Sequence, residues 1–346
     1  MAKIVIIGDM HIGARNSNKT VEKWQNKFFD DLFFPYLKEH NIKHVFQLGD
    51  FFDNRKWLNV QSIDNMIDHV IKPSQELGLD WKVLVGNHDI PLKNTLKGHT
   101  PGIMLKHYPE FSVIDKPETV DIDGVNFTFV PWICKENEDD ISNVIKHGGD
   151  IILGHFEVAG AVMHPGAISH DGIAQSDFNK WKCVWSGHYH TQSLNGNIHY
   201  LGTPYQMSWS DATTKHGFWV YDTTDDSFEF VENKFRYFHR LYWNDGCNHD
   251  LSTIADGYVK ITVQKKTDFE IFERFIDKVN FNSPFELKVI ESYEEYNQEN
   301  VQDLIKVSTT EELIGEYIDE VATNTSKESI KDKMLQIYHE AMSIEE

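Results

Sequence analysis

The sequence predicts an α/β fold in which two packed β-sheets are flanked by helices, followed by a small α/β addition and C-terminal helices. Three observations lead there. Short apolar runs alternate with helical patterns over the first half of the chain. Five of those runs end in a glycine followed at once by a side chain able to bind metal. Later runs pair as antiparallel hairpins. The five endings are Gly8-Asp9-Met10-His11, Gly49-Asp50-Phe51-Phe52-Asp53, Gly86-Asn87-His88-Asp89, Gly154-His155 and Gly187-His188-Tyr189-His190. A lone Gly-Asp or Gly-His carries no information. Repeated at successive strand ends, the pattern gathers carboxylate, imidazole and amide groups at the carboxyl edge of an α/β sheet.

The runs Lys3 to Ile7, His44 to Leu48, Trp81 to Val85, Asp150 to Leu153 and Cys183 to Ser186 are short and rich in Val, Ile, Leu and Trp, as buried strands are. Between the first two, Val21, Trp24, Phe28, Leu32 and Tyr36 recur at helical spacing, with Pro35 expected to kink or end the helix. A second helical stripe, Val60, Ile63, Met66, Ile67, Val70 and Ile71, runs up to Pro73. Val120 and Ile122, an Asp123-Gly124 turn, then Val125, Phe127 and Phe129 read as a hairpin. Phe218 to Tyr221 and Phe228 to Val231 read as another.

After about Asn233 no such ligand ending recurs, and Tyr258 to Val263, Phe269 to Val279 and Phe285 to Ile290 read as strand, helix, strand. From Asn300 the chain turns acidic. Thr309 with Glu312 forms a capping-box signature before Leu313, Ile314, Tyr317, Ile318 and Val321, and a second stripe carries Ile330, Met334, Ile337, Tyr338 and Met342. These helices either dock on this protein's own body or bind a partner. The expected division is therefore 1–232, 233–295 and 296–346.

Composition narrows the function classes. The 346 residues are 40% hydrophobic, and no apolar run approaches the roughly 20 residues needed to cross a bilayer. Cys134, Cys183 and Cys247 lie far apart with no Cys-x-x-Cys, which suits a reducing cytoplasm and suggests neither a disulfide framework nor a structural zinc site. A net charge of −21 argues against a protein that grips nucleic acid over its whole surface. Its cations are distributed unevenly: of five arginines, Arg15 and Arg55 follow ligand motifs, with Lys19, Lys56 and Lys93 in the same loops. They form either an ordinary solvated rim or one that guides phosphates.

Asp9 and His11, two residues apart where a strand opens into a loop, can face one ion, and His188 with His190 repeat that spacing. Mixed oxygen and imidazole donors suit manganese, iron or zinc rather than calcium, and manganese is the expected choice. Asp50, on an inner strand, is the natural bridge between two ions. Two metals so placed lower the pKa of a shared water and offset charge on phosphorus, which suits hydrolysis of a phosphate ester. His88 would then protonate the leaving alkoxide, with Asp89 orienting it; the competing reading makes His88 another ligand or a supporting group.

These blocks resemble the signature of the calcineurin-like metallophosphoesterases: Asp-x-His, Gly-Asp-x-x-Asp, Gly-Asn-His-Asp/Glu, Gly-His and Gly-His-x-His, all present and in order. Within that superfamily the chain is similar to SbcD-type nuclease subunits, the Mre-eleven family of double-strand-break repair, and particularly to its T-even phage branch. Asp50-Phe51-Phe52-Asp53-Asn54-Arg55-Lys56, Pro131-Trp132, Trp185-Ser186-Gly187-His188-Tyr189-His190 and Tyr200-Leu201-Gly202-Thr203-Pro204 carry this likeness, which is strong over residues 3–230. The resemblance implies a β-sandwich flanked by helices, with one ion held by Asp9, His11, Asp50 and His190 and the other by Asp50, Asn87, His155 and His188. It gives His88 the catalytic histidine role, with Asp89 behind it. Asp53 departs from the pattern, standing where many cellular relatives have histidine; it is expected to orient His88 or a metal ligand. With manganese as the expected ion and magnesium or iron as alternatives, the resemblance points to cleavage of duplex DNA ends from the 3′ side and of single strands internally; the competing readings are a small-molecule phosphodiesterase or phosphomonoesterase of the same fold and a nuclease-silent scaffold that recruits an ATPase. The resemblance also implies a DNA-facing cap over 233–295, C-terminal helices that bind the coiled-coil base of an SbcC-type ATPase, and a homodimer within a heterotetramer. The compartment would be the cytoplasm, that of the host for a phage protein.

Overall fold

The computed structural model describes residues 2–164, 167–244, 249–264 and 268–291, with Ile318, Ser326, Lys327, Ile330, Lys331, Lys333 and Met334 beyond them. Two six-stranded sheets face each other. The first runs, edge to edge, Ser227–Glu232, Gly217–Asp222, Lys3–Ile7, His44–Gln47, Asp80–Leu84, Phe111–Ile114. Its last four strands are parallel, and the expected second hairpin joins antiparallel at Lys3–Ile7. The second sheet runs Ser193–Asn195, Ile198–Tyr200, Trp181–Ser186, Gly149–Gly154, Val125–Val130, Glu118–Ile122, parallel in the middle and antiparallel at both edges. Its Glu118–Ile122 edge is the hairpin turned by Asp123 and Gly124, both at positive φ.

The period-2 alternation within the first strand shows how the layers are held. Ile4 and Ile6 point between the sheets with Phe46, Leu84, Phe127, Phe129, Leu153 and Trp185, whereas Val5 and Ile7 point to the opposite face, beneath Val21, Phe28, Phe33, Met66 and Val70. On the far side of the second sheet, Ile152 and Val184 are covered by Ile141 and Ile145 of the helix Glu138–His147. The order is thus helix, sheet, sheet, helix. The outer helix was not anticipated, although three acids in its first turn, Lys146 and His147 in its last and Gly148 after it are ordinary helix-end chemistry.

Neither proline ends its helix; of the two outcomes expected at Pro35, ending is excluded and a local irregularity precedes it. Lys19–Phe28 continues through a π-turn at Phe29–Phe33 into Phe34–Glu39, and Val60–Met66 continues through Ile67–Ile71 into Lys72–Leu77. In each case Pro35 or Pro73 falls in the first turn after the wide loop, where its missing N–H costs least, and the residue before it donates five residues back, Phe34 to Phe29 and Lys72 to Ile67.

Residues 1–290 form one compact unit and 291–346 another. Within the first, Phe238–Trp243, Tyr258–Val263 and Glu286–Glu291 make a three-stranded sheet covered by the helix Phe269–Phe281, around Leu241, Trp243, Val259, Ile261, Phe272 and Phe275. The strand Phe238–Trp243 is an addition to the expected strand, helix, strand. Phe238 and Tyr258 instead join the core under the first sheet. The two C-terminal helical stripes fall almost wholly outside the described residues; Ile330 N–H donates to the Ser326 carbonyl at 3.2 Å, a helical bond. Among the described residues no helix is long and apolar enough to cross a membrane.

Candidate metal centre

The five glycine-led endings emerge from the carboxyl ends of five strands, three in the first sheet and two in the second, so the side chains meet over one rim of the sandwich. Crowding explains the glycines. A Cβ on Gly187 would stand 2.5 Å from Asp9 Oδ1, and one on Gly49, at φ 91°, would strike the His155 ring. Beyond them, His11 (φ 45°), Asp50 (φ 53°) and His188 (φ 84°) adopt left-handed backbone that costs non-glycine residues about 1–3 kcal/mol each. The surroundings hold that strain in place: Met10 and His11 N–H both donate to the Asp50 carbonyl at 3.0 Å, Gln25 Nε2 donates to His11 O at 3.1 Å, and Tyr205 Oη donates to Met10 O.

Asp50 lies at the middle. Its Oδ2 stands 3.3 Å from His155 Nε2 and 3.9 Å from His11 Nε2, and its Oδ1 accepts the His88 N–H at 2.7 Å. On the His155 side, Asn87 Oδ1 lies 2.9 Å from His155 Nε2 and 3.1 Å from His188 Nδ1. On the His11 side, His11 Nε2 faces His190 Nε2 at 3.2 Å, and Asp9 Oδ2 is 3.9 Å from His190 Nε2. Asp9 also accepts the His188 N–H through both oxygens at 3.1 Å, tying the two halves together.

The donor set fits cations. His155 Nδ1 faces the Leu48 carbonyl at 2.7 Å, which can only accept, so Nδ1 carries a proton and Nε2 is aimed at two oxygens. His11 is arranged alike: Nδ1 lies 3.2 Å from Asp53 Oδ1, and Nε2 meets another imidazole nitrogen. Acceptors facing acceptors in a buried cluster call for positive charge between them. Without a metal, protons serve. Burial works against charging His11, but Asp53 and Asp50 outweigh it and raise its pKa to about 9; for His155 burial is outweighed by Asp50 and Asp9, also to about 9. Burial and the neighbouring imidazoles push His188 down to about 3 and His190 to about 4. Burial raises Asp9 to about 6, whereas in Asp50 it is overcome by His155 and His11, leaving that carboxyl below its ordinary range.

The expectation that Asp89 orients His88 is corrected. The Asp89 carboxylate is buried and accepts the N–H groups of Gly86 (2.9 Å), Phe52 (3.0 Å) and Phe51 (3.3 Å), so it braces two ligand loops against each other. Burial raises its pKa to about 7. Asp53 does the orienting: its backbone carbonyl accepts His88 Nδ1–H at 2.8 Å while its carboxylate faces His11. Because a carbonyl only accepts, Nε2 is the free nitrogen of His88.

The five cations separate. Arg55 and Lys93 line a cavity with Asn87. Arg15 packs over the Phe238 and Tyr258 rings, 5.4 and 5.7 Å from their centroids. Lys19 borders a different groove, with Asp30 and Asp31, and Lys56 is exposed beside the turn capped by Asn54. Gln25 and Tyr205, which hold the Asp9–His11 loop, were missed; the available signal was a glutamine on the buried face of an amphipathic helix.

An Asp53→Ala variant is expected to weaken metal affinity on the His11 side by about 10–100-fold, the usual cost of losing a group that orients a ligand. Competition with a chelating dye reads this directly, and unchanged affinity would remove Asp53 from the centre.

Residues 2–192 match the calcineurin-like phosphoesterase family. Exonuclease subunit 1 of Enterobacteria phage T4 is 29% identical over 343 residues, covering 98% of this chain and 99% of that protein. A novel archaeal phosphodiesterase of known structure aligns over 67% of this chain and 99% of its own at 13% identity, with a TM-score of 0.36. With more than half its length matched and the motif blocks converging on Asp50, the chain belongs to the calcineurin-like phosphoesterase family.

Proposed function

We propose that this chain is the nuclease subunit of a DNA recombination or repair complex, hydrolysing phosphodiesters with two divalent cations. The observation that carries this reading is Asp50 Oδ2, set between His155 Nε2 and His11 Nε2 with Asn87 and His188 on one side and Asp9 and His190 on the other. Asp50, Asn87, His155 and His188 would hold one cation, and Asp9, His11, Asp50 and His190 the other; the mixed oxygen and imidazole donors admit manganese, our choice, and also magnesium or iron. Bound divalent cations lower the pKa of water and offset the charge that builds on a phosphate in the transition state. The residues of the chain supply the rest. Asp53 and Asp89 fix the loops, and His88 presents Nε2 to the leaving oxygen.

DNA as substrate is supported by full-length likeness to a phage protein named as an exonuclease subunit. Duplex cleavage from the 3′ side, single-strand cleavage and cytoplasmic action belong to the same reading. So do a DNA-facing cap over 233–295 and C-terminal helices over 296–346 that bind an SbcC-type ATPase, two copies of each in a heterotetramer. The net charge of −21 favours a partner that holds the duplex. Deletion after Asn300 is expected to abolish ATPase association in co-purification yet spare single-strand cleavage; an intact complex would assign those helices to this protein's own body.

The test of function offers labelled duplex, single-stranded DNA and a chromogenic phosphomonoester to the protein with manganese or with chelator. Manganese-dependent DNA cleavage is expected. Hydrolysis of the monoester with both DNAs untouched would make it a small-molecule phosphatase instead.

A further inference from the structure

Two cavities flank the centre and share one wall, formed by Trp132, Ile133 and Glu138. The first, of about 540 Å³, reaches His155 and is lined by Glu138, Asp139, Glu157 and Asp177. The second, of about 470 Å³, reaches Asn87 and is lined by Arg55, Lys93 and Lys135. An anionic strand leaving the centre is repelled by the first and attracted by the second. Among the described residues neither Arg55 nor Lys135 has an ion-pair partner.

Trp132 is fixed at the junction. Its backbone N–H donates to Val85 O at 2.8 Å, at the end of the strand that leads to Asn87, and its carbonyl accepts Asn137 Nδ2–H at 3.0 Å. Asn137 in turn accepts the Cys134 N–H at 2.8 Å. The indole centroid lies 5.2 Å from the His188 ring and 5.8 Å from the His155 ring, with part of its surface open to the cavities. A partly open indole that packs against the Val85, Ile90, Leu96 and Cys134 cluster and stands beside a cationic hollow is a stacking platform.

We propose that Trp132 stacks the nucleobase next to the scissile phosphate, and that the cavity of Arg55, Lys93 and Lys135 seats the adjoining backbone phosphate. The inference rests on the nuclease reading and refines it. A base within a duplex is already stacked on its neighbours, so Trp132 takes one only from a single strand or an opened end. Stacking is tolerant of base identity, so the subsite confers a preference for unpaired nucleotides without a sequence preference.

The test compares full-length wild type and Trp132→Ala with manganese on three substrates: a labelled single strand, the same strand with one abasic position scanned along it, and methyl p-nitrophenyl phosphate, which has no base. Trp132→Ala is expected to raise KM for the strand roughly 5- to 150-fold, the range for one stacked base. Because the indole also packs on His155 and His188, metal content is measured alongside, and the loss on the base-free diester should be much smaller than the loss on the strand. One abasic position should impair wild type as much as the substitution does, and should add nothing to the variant. Trp132→Phe should restore most of the loss. Lys135→Gln should flatten the dependence of log(1/KM) on log salt by about 0.7.

A KM within twofold of wild type, or an abasic penalty that persists in Trp132→Ala, would overturn the stacking role. A loss on the base-free diester as large as that on the strand would reduce Trp132 to a structural support. An unchanged salt slope would refute the phosphate seat. Wild type that hydrolyses the small diester but no DNA would defeat the nuclease reading itself, a result that none of the other outcomes resembles.

Discussion

Replacing Asp50 by asparagine is expected to remove both cations and abolish turnover together. The substitution preserves size and the oxygen that accepts the His88 N–H, so the loop can still close. What changes is the atom at Oδ2, which now faces His155 Nε2 and His11 Nε2 as a neutral amide. The Asp50 carboxylate oxygen faces an imidazole Nε2 in each half of the cluster, so its loss should weaken metal binding by more than the roughly 100-fold that a supporting group costs. Elemental analysis after dialysis should fall from about two ions per chain to near none. The chelated proteins give a second reading. In the folded protein His155 and His11 are both raised from 6.5 to about 9 against the penalty of burial, His155 mainly by Asp50 and His11 by Asp53 and then Asp50. Their contribution to stability is therefore complete below pH 6.5 and is lost as pH rises to 9. Asp50→Asn should flatten that slope, which urea unfolding of the chelated proteins at pH 6.5 and 9 measures.

His88→Asn should do the reverse: metal retained, turnover lost by about 10²–10⁴-fold. The imidazole places Nδ1 on the Asp53 carbonyl and leaves Nε2 free, 4.9 Å between its ring centroid and that of His11. Asparagine can still donate to that carbonyl, but it carries no nitrogen able to exchange a proton with a leaving oxygen. Metal content falling as far as in Asp50→Asn would return His88 to the ligands.

The site was largely legible because its chemistry lies in the backbone pattern. Strand, glycine, ligand is forced by crowding, as the space around Gly49 and Gly187 shows, so each block announces both its position and its direction. Side-chain direction within a block was not legible. Asp89 follows His88 in sequence but turns inward to three amides, while the His88 ring turns to the Asp53 carbonyl. Asp53 bonds His88 through a backbone carbonyl, which residue type cannot reveal. The cations were legible only in part: Lys19 and Lys93 both follow ligand motifs, yet only Lys93 lines the cavity that reaches Asn87, and Lys135, outside the five glycine-led endings, lines it too. In the fold, Pro35 and Pro73 misled because a π-turn absorbs the missing donor at a cost that sequence periodicity does not display.

The central claim is that two cations share Asp50. Anomalous scattering at the manganese edge from crystals of the manganese-loaded protein tests it directly. Two peaks about 3.5–4 Å apart are predicted, one on each side of Asp50 Oδ2, the first among Asn87, His155 and His188 and the second among Asp9, His11 and His190. A single peak, or a pair that leaves Asp50 uncoordinated, would contradict the account.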